Sequence, residues 1–183
     1  MQVTAADIPE VLLIEPVAHG DARGFFLETW REDRYREAGI AEAFRQDSVS
    51  RSCRGSIRGI HFQHPRAQAK LVGVLEGEIF DVVVDLRRTS PTFGQWMAAE
   101  LSARNHRQLY IPRGFGHAFC VLSETALVSY KLSEYHHPEH EHTIRWDDPT
   151  IGISWPVNAP IVSPKDANGY LLATIPPESL FTP

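Results

Sequence analysis

The chain has 183 residues and a net charge of -5, from 18 Lys and Arg against 23 Asp and Glu. This length predicts a single domain over residues 1–183 with short N- and C-terminal extensions, and 43% hydrophobic residues are enough for one large core. The acidic balance excludes a general nucleic-acid footprint. An anionic ligand would therefore need a local cluster of Arg and Lys side chains.

The N-terminus and the cysteines predict a cytoplasmic protein. The segment MQVTAADIPEVLLIEPV lacks the basic start and long apolar core of a signal peptide, and no apolar stretch is long enough to span a bilayer. Cys53 and Cys120 form neither a disulfide framework nor a CxxC pair. We expect Cys120, within the apolar run AFCVL, to lie in the core, and Cys53 to lie in a loop.

Short apolar or alternating segments, separated by Gly, Pro or charged residues, predict many strands. They cover residues 11–17, 24–30, 44–51, 56–63, 70–86, 93–101, 108–111, 117–122 and 126–132. Within 70–86, the break at Glu76-Gly77-Glu78 predicts a hairpin turn. Only 31–38 and about 165–173 look helical. Many strands and few short helices predict an all-β jelly roll, a sandwich or barrel that can hold one ligand in its mouth.

The run RGIHFQ contains the first candidate for acid–base chemistry, His61. Strand alternation predicts that Arg58, Ile60 and Phe62 share one face, while His61 and Gln63 lie on the other. A lone His at such a position is more often half-buried with a satisfied hydrogen bond than catalytic. The motif by itself therefore has low specificity.

A second motif, Pro112-x-Gly114-x-x-His117, matches the PxGxxH motif of the cupin superfamily, in which a tight turn directs a His into the barrel. Metal-binding cupins also carry HxH, but His61 and His64 are out of phase on a strand. We therefore expect no metal site. The segment YHHPEHEH contains His136, His137, His140 and His142. Their spacing fits no metal-ligand template, and the polar segment predicts a solvated loop.

Two further polar positions have ordinary structural interpretations. Tyr130, in ALVSYKL, is typical of the edge of a core, and Lys165-Asp166 can open the last helix, with Asp near its N-terminus. From the residues alone, the prediction is a barrel with polar groups near a pocket, without a substrate.

Long collinear blocks, however, resemble one family. They include DARGFFLE, FRQDSVSRS, SIRGIHFQ, AQAKLVGVLEGEIFDVVVDLRRTSPTFGQW, LSARNHRQLYIPRGFGHAF, SYKLSEYHHP, IRWDDPTIGISWP and IVSPKDA. In order and spacing, from about residue 14 to 172, they are similar to the dTDP-4-dehydrorhamnose 3,5-epimerases. The resemblance implies a cupin jelly roll, a homodimer, no cofactor and no metal. It also implies inversion at C3 and C5 of a dTDP-4-keto-6-deoxy-glucose, whose protons become acidic when the C4 enolate is stabilised.

The resemblance also implies catalytic roles. His61 would be the base, oriented by Asp166, since an imidazole changes its charge near neutral pH. Lys70 would stabilise the enolate, and Tyr130 would deliver a proton from the opposite face. His117 would line the same pocket.

Substrate-binding positions carry over in the same way. Arg23 and Arg58 match positions that contact the diphosphate, and Glu28 and Gln46 match positions near the thymidine. Glu141 and Lys165 match further binding positions, and Ser48 is expected to bind the substrate as well. The chain departs from the family's usual Asn-His at Ser48-Val49, where Ser48 keeps a hydrogen-bonding group. It also has Tyr135-His136 where the family often places an aromatic pair beside the sugar.

Three alternatives remain at this point. Related cupins epimerise a single carbon or move the ketone from C4 to C3. A metal-dependent cupin is disfavoured by the missing HxH. A non-catalytic sugar-nucleotide binding module would need no acid–base set.

Overall fold

The computed structural model describes residues 1–182 and confirms the jelly-roll architecture. The strands are β1 (Gln2–Ala5), β2 (Leu12–Glu15), β3 (Ala18–Asp21), β4 (Gly24–Leu27), β5 (Gln46–Cys53), β6 (Ser56–Gln63), β7 (Lys70–Glu76), β8 (Glu78–Asp85), β9 (Trp96–Ser102), β10 (Gln108–Ile111), β11 (Phe115–Val121), β12 (Thr125–Leu132), β13 (Glu141–Thr143) and β14 (Ile161–Val162). The α-helices are α1 (Glu32–Glu37) and α2 (Pro164–Ala167), and 3-10 turns lie at Pro138–His140 and Pro177–Ser179. Across the described residues, no helix has the length and apolar character that a membrane span requires.

Two sheets pack face to face. The first has the order β1-β2-β10-β7-β12-β5, and the second has the order β13-β6-β11-β8-β9 with β14 parallel to β6. Strands β3 and β4 form a separate hairpin. Between the sheets, Val72 and Val74 of β7 pack in one buried cluster with Ile79 and Val83 of β8. Burial of these apolar side chains is the main stabilising contribution to the sandwich.

Strand β8 is buried on both faces. Val83 points into the sandwich, whereas Val82 and Val84 pack in a second cluster with residues of the C-terminal segment, including Leu172 and Phe181. A strand covered on both faces reads as a continuous apolar run, as in DVVVD. The C-terminal segment is therefore part of the core.

The turn expected at Gly77 is not a hairpin turn. Gly77 does separate β7 from β8, but β7 pairs with β10 and β12, and β8 pairs with β9 and β11. The chain passes from one sheet to the other at this residue. Gly77 has φ +78°, and a Cβ there would lie 2.1 Å from the carbonyl oxygen of Thr125, so only glycine fits the corner.

Other expectations about single elements need correction. Strands β1, β3, β13 and β14 were not expected, because none of them is longer than four residues. The helix expected at about 165–173 is only Pro164–Ala167. Cys53 ends strand β5 and does not lie in a loop, because β5 pairs with β12 along its full length. Cys120 is buried, as expected.

Candidate active site

A cavity of about 260 Å³ opens between the two sheets. Strands β5, β7 and β12 of the first sheet and β6, β11 and β13 of the second contribute side chains to it. Its lining consists of Ser48, Val49, Ser50, Arg58, His61, Gln68, Lys70, His117, Phe119, Tyr130, Leu132, His136 and Glu141. The structure thus collects most of the expected site residues in one place.

A bulge in β6 brings Arg58 and His61 to the same cavity. Against β11, His61 pairs with His117 and Arg58 pairs with Phe119, so β6 has one residue more than its partner between these pairs. The expected separation of Arg58 and His61 onto opposite faces is therefore wrong, because the extra residue shifts the alternation. The bulge depends on Gly59, which has φ +115° and would place a Cβ 2.4 Å from the carbonyl oxygen of His117.

His61 and Asp166 form a hydrogen-bonded pair. The His61 Nε2 atom lies 2.6 Å from Asp166 Oδ1. Asp166 is buried in α2, where Ser163 Oγ caps its backbone N–H, and its Oδ2 accepts from the N–H of Gly59 at 3.4 Å. Burial by itself would raise the pKa of Asp166, but the hydrogen bond and charge of His61 bring it below its ordinary value. The ionised carboxylate therefore fixes the orientation of the imidazole and leaves Nδ1 for chemistry.

The free nitrogen of His61 faces a second carboxylate. Glu141 Oε1 lies 3.9 Å from His61 Nδ1, and Glu141 Oε2 is bonded by Lys165 Nζ and approached at 3.3 Å by His136 Nε2. Burial would raise the pKa of Glu141, yet these positive and hydrogen-bonding partners lower it. Lys165 thus reaches the site through Glu141.

Lys70 is a buried ammonium beside His61. Its Nζ donates to the backbone carbonyl of His61 at 3.4 Å. Burial lowers the pKa of Lys70 from 10.5 to about 8, against the raising influence of Glu141 and Asp81. A cation with few protein partners at the wall of a cavity is suited to stabilise a developing oxyanion.

Tyr130 lies on the opposite sheet from His61. Its hydroxyl is 2.8 Å from Ser50 Oγ, and burial raises its pKa, which keeps the phenol protonated. Ser50 was not expected in the site. Since Ser48 and Ser50 are two residues apart on β5, strand alternation already placed Ser50 on the face of Ser48.

His117 belongs to a second buried pair, with its Nε2 2.7 Å from Asp81 Oδ1. Burial lowers the pKa of His117 although Asp81 raises it. Asp81 was also missed, but a carboxylate inside the apolar run EIFDVVVD is a signal of a buried polar function.

Two further expected residues, Arg58 and Gln46, form hydrogen bonds in or beside the cavity. Arg58 Nε donates to Ser52 Oγ at 2.8 Å. Gln46 Nε2 donates to Ser48 Oγ at 3.1 Å, and its Oε1 accepts from the backbone N–H of His136 at 2.9 Å. Gln46 is adjacent to the cavity and not part of its lining.

Arg23 and Glu28 are not brought to this cavity within one chain. Arg23 lies in the turn of the β3–β4 hairpin and pairs with Asp21 at 2.5 Å, while Glu28 pairs with Arg34 at 2.9 Å. Both line other surface cavities that share no residue with the His61 cavity.

The interpretation of the histidine-rich segment as a solvated loop is wrong for two of its members. His136 lines the cavity, and His142 lies on β13, where its ring stacks on Phe62 with centroids 5.3 Å apart. Pairing of β13 with β6 draws the segment onto the sheet. Within residues 1–182, no group of three or more His, Cys, Asp or Glu side chains is arranged to hold a metal ion.

A larger cavity of about 400 Å³ lies elsewhere, lined by Arg87, Arg113, Phe181 and neighbouring residues. Its guanidinium groups are already paired, Arg87 with Asp85 at 2.7 Å and Arg113 with Glu42 at 3.0 Å. The acid–base residues therefore favour the His61 cavity as the candidate active site.

Comparisons with known proteins identify the family. The family model described as dTDP-4-dehydrorhamnose 3,5-epimerase matches residues 5–174. A protein of that name from Pseudomonas aeruginosa is 51% identical, over 94% of this chain and 97% of the relative. A dTDP-4-dehydrorhamnose 3-epimerase from Streptomyces niveus is 41% identical, over 94% of this chain and 84% of the relative. A solved dTDP-6-deoxy-D-glucose-3,5-epimerase from Legionella pneumophila, in complex with dTDP-4-keto-L-rhamnose, has a TM-score of 0.95 and 48% identity, over 98% of this chain and 96% of that one. The chain belongs to the dTDP-4-dehydrorhamnose 3,5-epimerase family.

Proposed function

We propose that the protein inverts C3 and C5 of dTDP-4-dehydro-6-deoxy-D-glucose and so forms dTDP-4-dehydro-L-rhamnose. The observation that carries this proposal is the placement of the His61–Asp166 pair and Tyr130 on opposite sheets of one cavity, with the Lys70 ammonium at its wall. Inversion requires a base on one side of the carbon and an acid on the other. The cavity offers both.

The proposed chemistry proceeds through an enolate. His61 Nδ1 takes the proton from the carbon beside the C4 ketone, and the electron pair moves onto the C4 oxygen, which the Lys70 ammonium stabilises. The Tyr130 hydroxyl then gives a proton to the other face of the same carbon, and the ketone returns. Asp166 holds His61 in place and offsets the positive charge that His61 gains. The same sequence at the second carbon completes the double inversion.

Binding of the nucleotide would use the rim of the cavity. The Arg58 guanidinium lines the cavity and presents the planar donors that suit a diphosphate. Ser48, also in the lining, is hydrogen-bonded to Gln46, and this pair is suited to the thymidine. Lys165 bonds Glu141, another lining residue.

We also propose that the working unit is a homodimer in which a second copy supplies Arg23 and Glu28. Two observations support it. Strand β5 ends the first sheet at the cavity, with one edge unpaired among the described residues, and an open edge is a template for another chain. The β3–β4 hairpin follows β2, near the opposite edge of that sheet, and exposes Phe25 (63%) and Phe26 (71%). Side chains so exposed are typical of an interface.

Complementation between inactive variants tests the shared site. We expect Arg23→Ala and His61→Asn each to be inactive, and their co-expressed mixture to recover about a quarter of the wild-type activity, because half of the dimers then contain one intact site. The matched control mixes His61→Asn with Lys70→Met, which lie in the same site and should recover nothing. A mixture of Arg23→Ala with His61→Asn that stays inactive, or a monomer in sedimentation analysis, would contradict the dimeric site.

The proposed reaction is tested with dTDP-4-dehydro-6-deoxy-D-glucose in D2O, with the C3 and C5 protons followed by NMR. A rhamnose-forming reductase with NADPH traps the doubly inverted product. We expect loss of both proton signals together with reductase turnover. Exchange at C3 alone would instead assign a 3-epimerase, the name of the Streptomyces niveus relative. No exchange at either carbon would show that dTDP-4-dehydro-6-deoxy-D-glucose is not the substrate.

A cytoplasmic location and a single domain stay predictions. Cell fractionation tests the first, and limited proteolysis tests the second.

A further inference from the structure

His136 is held in a defined position at the mouth of the cavity. Its backbone N–H donates to Gln46 Oε1 at 2.9 Å, and the N–H of the next residue, His137, donates to the buried Gln63 Oε1 at 2.8 Å. Its ring nitrogen Nε2 lies 3.3 Å from Glu141 Oε2, while 46% of its side chain is exposed. One imidazole therefore contacts both an active-site carboxylate and solvent.

The proposed reaction requires His61 to release a proton after each inversion. Its Nε2 is engaged by Asp166, so the proton is taken and released at Nδ1, which faces the cavity. A substrate in the cavity would cover the side chain of His61, which is only 27% exposed in its absence. A second inversion on the same bound sugar therefore needs a path for the proton that avoids the substrate.

We propose that Glu141 and His136 form this path, a proton relay from His61 Nδ1 to solvent. The inference rests on the proposed epimerase function and deepens it. The three side chains are consecutive: His61 Nδ1 lies 3.9 Å from Glu141 Oε1, and Glu141 Oε2 lies 3.3 Å from His136 Nε2. The first gap closes by a small movement of Glu141 or by one water molecule.

The proton balance of the relay is complete. The carbon acid gives its proton to His61, which becomes an imidazolium. His61 passes that proton to Glu141, and Glu141 passes it to His136, which releases it to water or buffer. Tyr130 gives its own proton to the opposite face of the carbon and regains one from solvent. Each inversion thus releases one proton and takes one up, with no oxidant or reductant.

The positive charges around Glu141 disfavour a long-lived protonated state of its carboxylate. Lys165 bonds Glu141 Oε2, and Lys70 faces the same carboxylate from β7. Burial would raise the pKa of Glu141, but Lys165, His61 and His136 keep it below its ordinary value. The carboxylate is therefore ionised at rest, and we expect it to pass on quickly any proton that it receives from His61.

The test compares His136→Gln with the wild-type dimer in steady-state turnover and in D2O exchange at C3 and C5. Gln keeps a hydrogen-bond donor for Glu141 but cannot take up and release a proton near neutral pH. We expect kcat at low buffer concentration to fall about tenfold, with KM unchanged, and to recover when imidazole is added, because free imidazole replaces the relay. His140→Gln is the matched control, since His140 lies on the same segment, its ring is next to Glu139 and His137, and it is not part of the cavity lining. It should show wild-type turnover at every buffer concentration.

Each outcome decides between the hypotheses. Buffer-dependent turnover of His136→Gln alone supports the relay. Wild-type turnover of His136→Gln, or a loss that imidazole does not restore, overturns it and leaves His136 a purely structural role. If the wild-type protein exchanges neither carbon, the proposed function fails, and the relay fails with it.

Discussion

Replacing His61 by Asn is expected to stop exchange of the C3 and C5 protons in D2O and to lower kcat by about 10²–10⁴-fold. The Asn amide is too short to reach Asp166 from the position of His61 Nε2, but the Asp166 carboxylate still accepts from the backbone N–H of Gly59. The loss then reports the missing base and not a collapsed site. NMR exchange together with reductase-coupled turnover measures it, and thermal unfolding checks that the fold is intact.

Tyr130→Phe provides the contrasting variant. Without the hydroxyl that lies 2.8 Å from Ser50, proton removal by His61 continues, so exchange with D2O persists while inverted product is no longer trapped. His61→Asn should lose both signals. Undiminished exchange in His61→Asn would show that another group is the base.

Replacing Lys70 by Met is expected to lower kcat by about 10²–10³-fold and yet to stabilise the fold. The ammonium is buried, and burial lowers its pKa from 10.5 to about 8. That shift corresponds to roughly 3 kcal/mol as an upper bound on the free energy of unfolding that the buried charge removes. Met fills a similar volume without a charge. Denaturant unfolding at pH 7 measures the gain, and the exchange assay measures the loss of activity.

The pH dependence of stability provides a second check on Lys70. Between about pH 8 and pH 10.5, the unfolded chain keeps a proton on Lys70 that the folded protein has released. This group therefore makes the wild-type protein more stable as pH rises through that window, and its destabilising effect is complete below about pH 8. The advantage of Lys70→Met should be largest at pH 7 and vanish above pH 10.5. A Met variant that is less stable than wild type at pH 7 would contradict this account.

Much of the fold followed from local pattern. The apolar run around Val82, Val83 and Val84 predicted a strand, and the structure covers that strand on both faces, which explains why the run is continuous. The runs that became β6, β10 and β12 were placed to within one residue, and the run that became β5 was placed two residues too early. By contrast, the partners of β7 and β8 could not be predicted, since pairing across a sandwich depends on contacts far apart in sequence.

The candidate site likewise combines features that local sequence determines with features that only the tertiary structure decides. The sequence by itself determined the residue types, His61, Lys70, Tyr130 and Asp166, and the resemblance of their surrounding blocks gave them roles. Only the tertiary structure decided their geometry. The bulge at Gly59 places Arg58 and His61 in one cavity, where a regular strand would separate them.

Contacts between segments that are remote in sequence likewise could not be predicted from the sequence. Asp166 meets His61 across 105 residues, and Ser50 meets Tyr130 across 80. His136 gained its position from pairing of β13 with β6 and from the Gln46 and Gln63 amides, which no local pattern reveals. Local sequence determines which strands and chemical groups this protein has. Non-local packing decides which groups meet, because contact energies between distant segments are set only when the sheets close on each other.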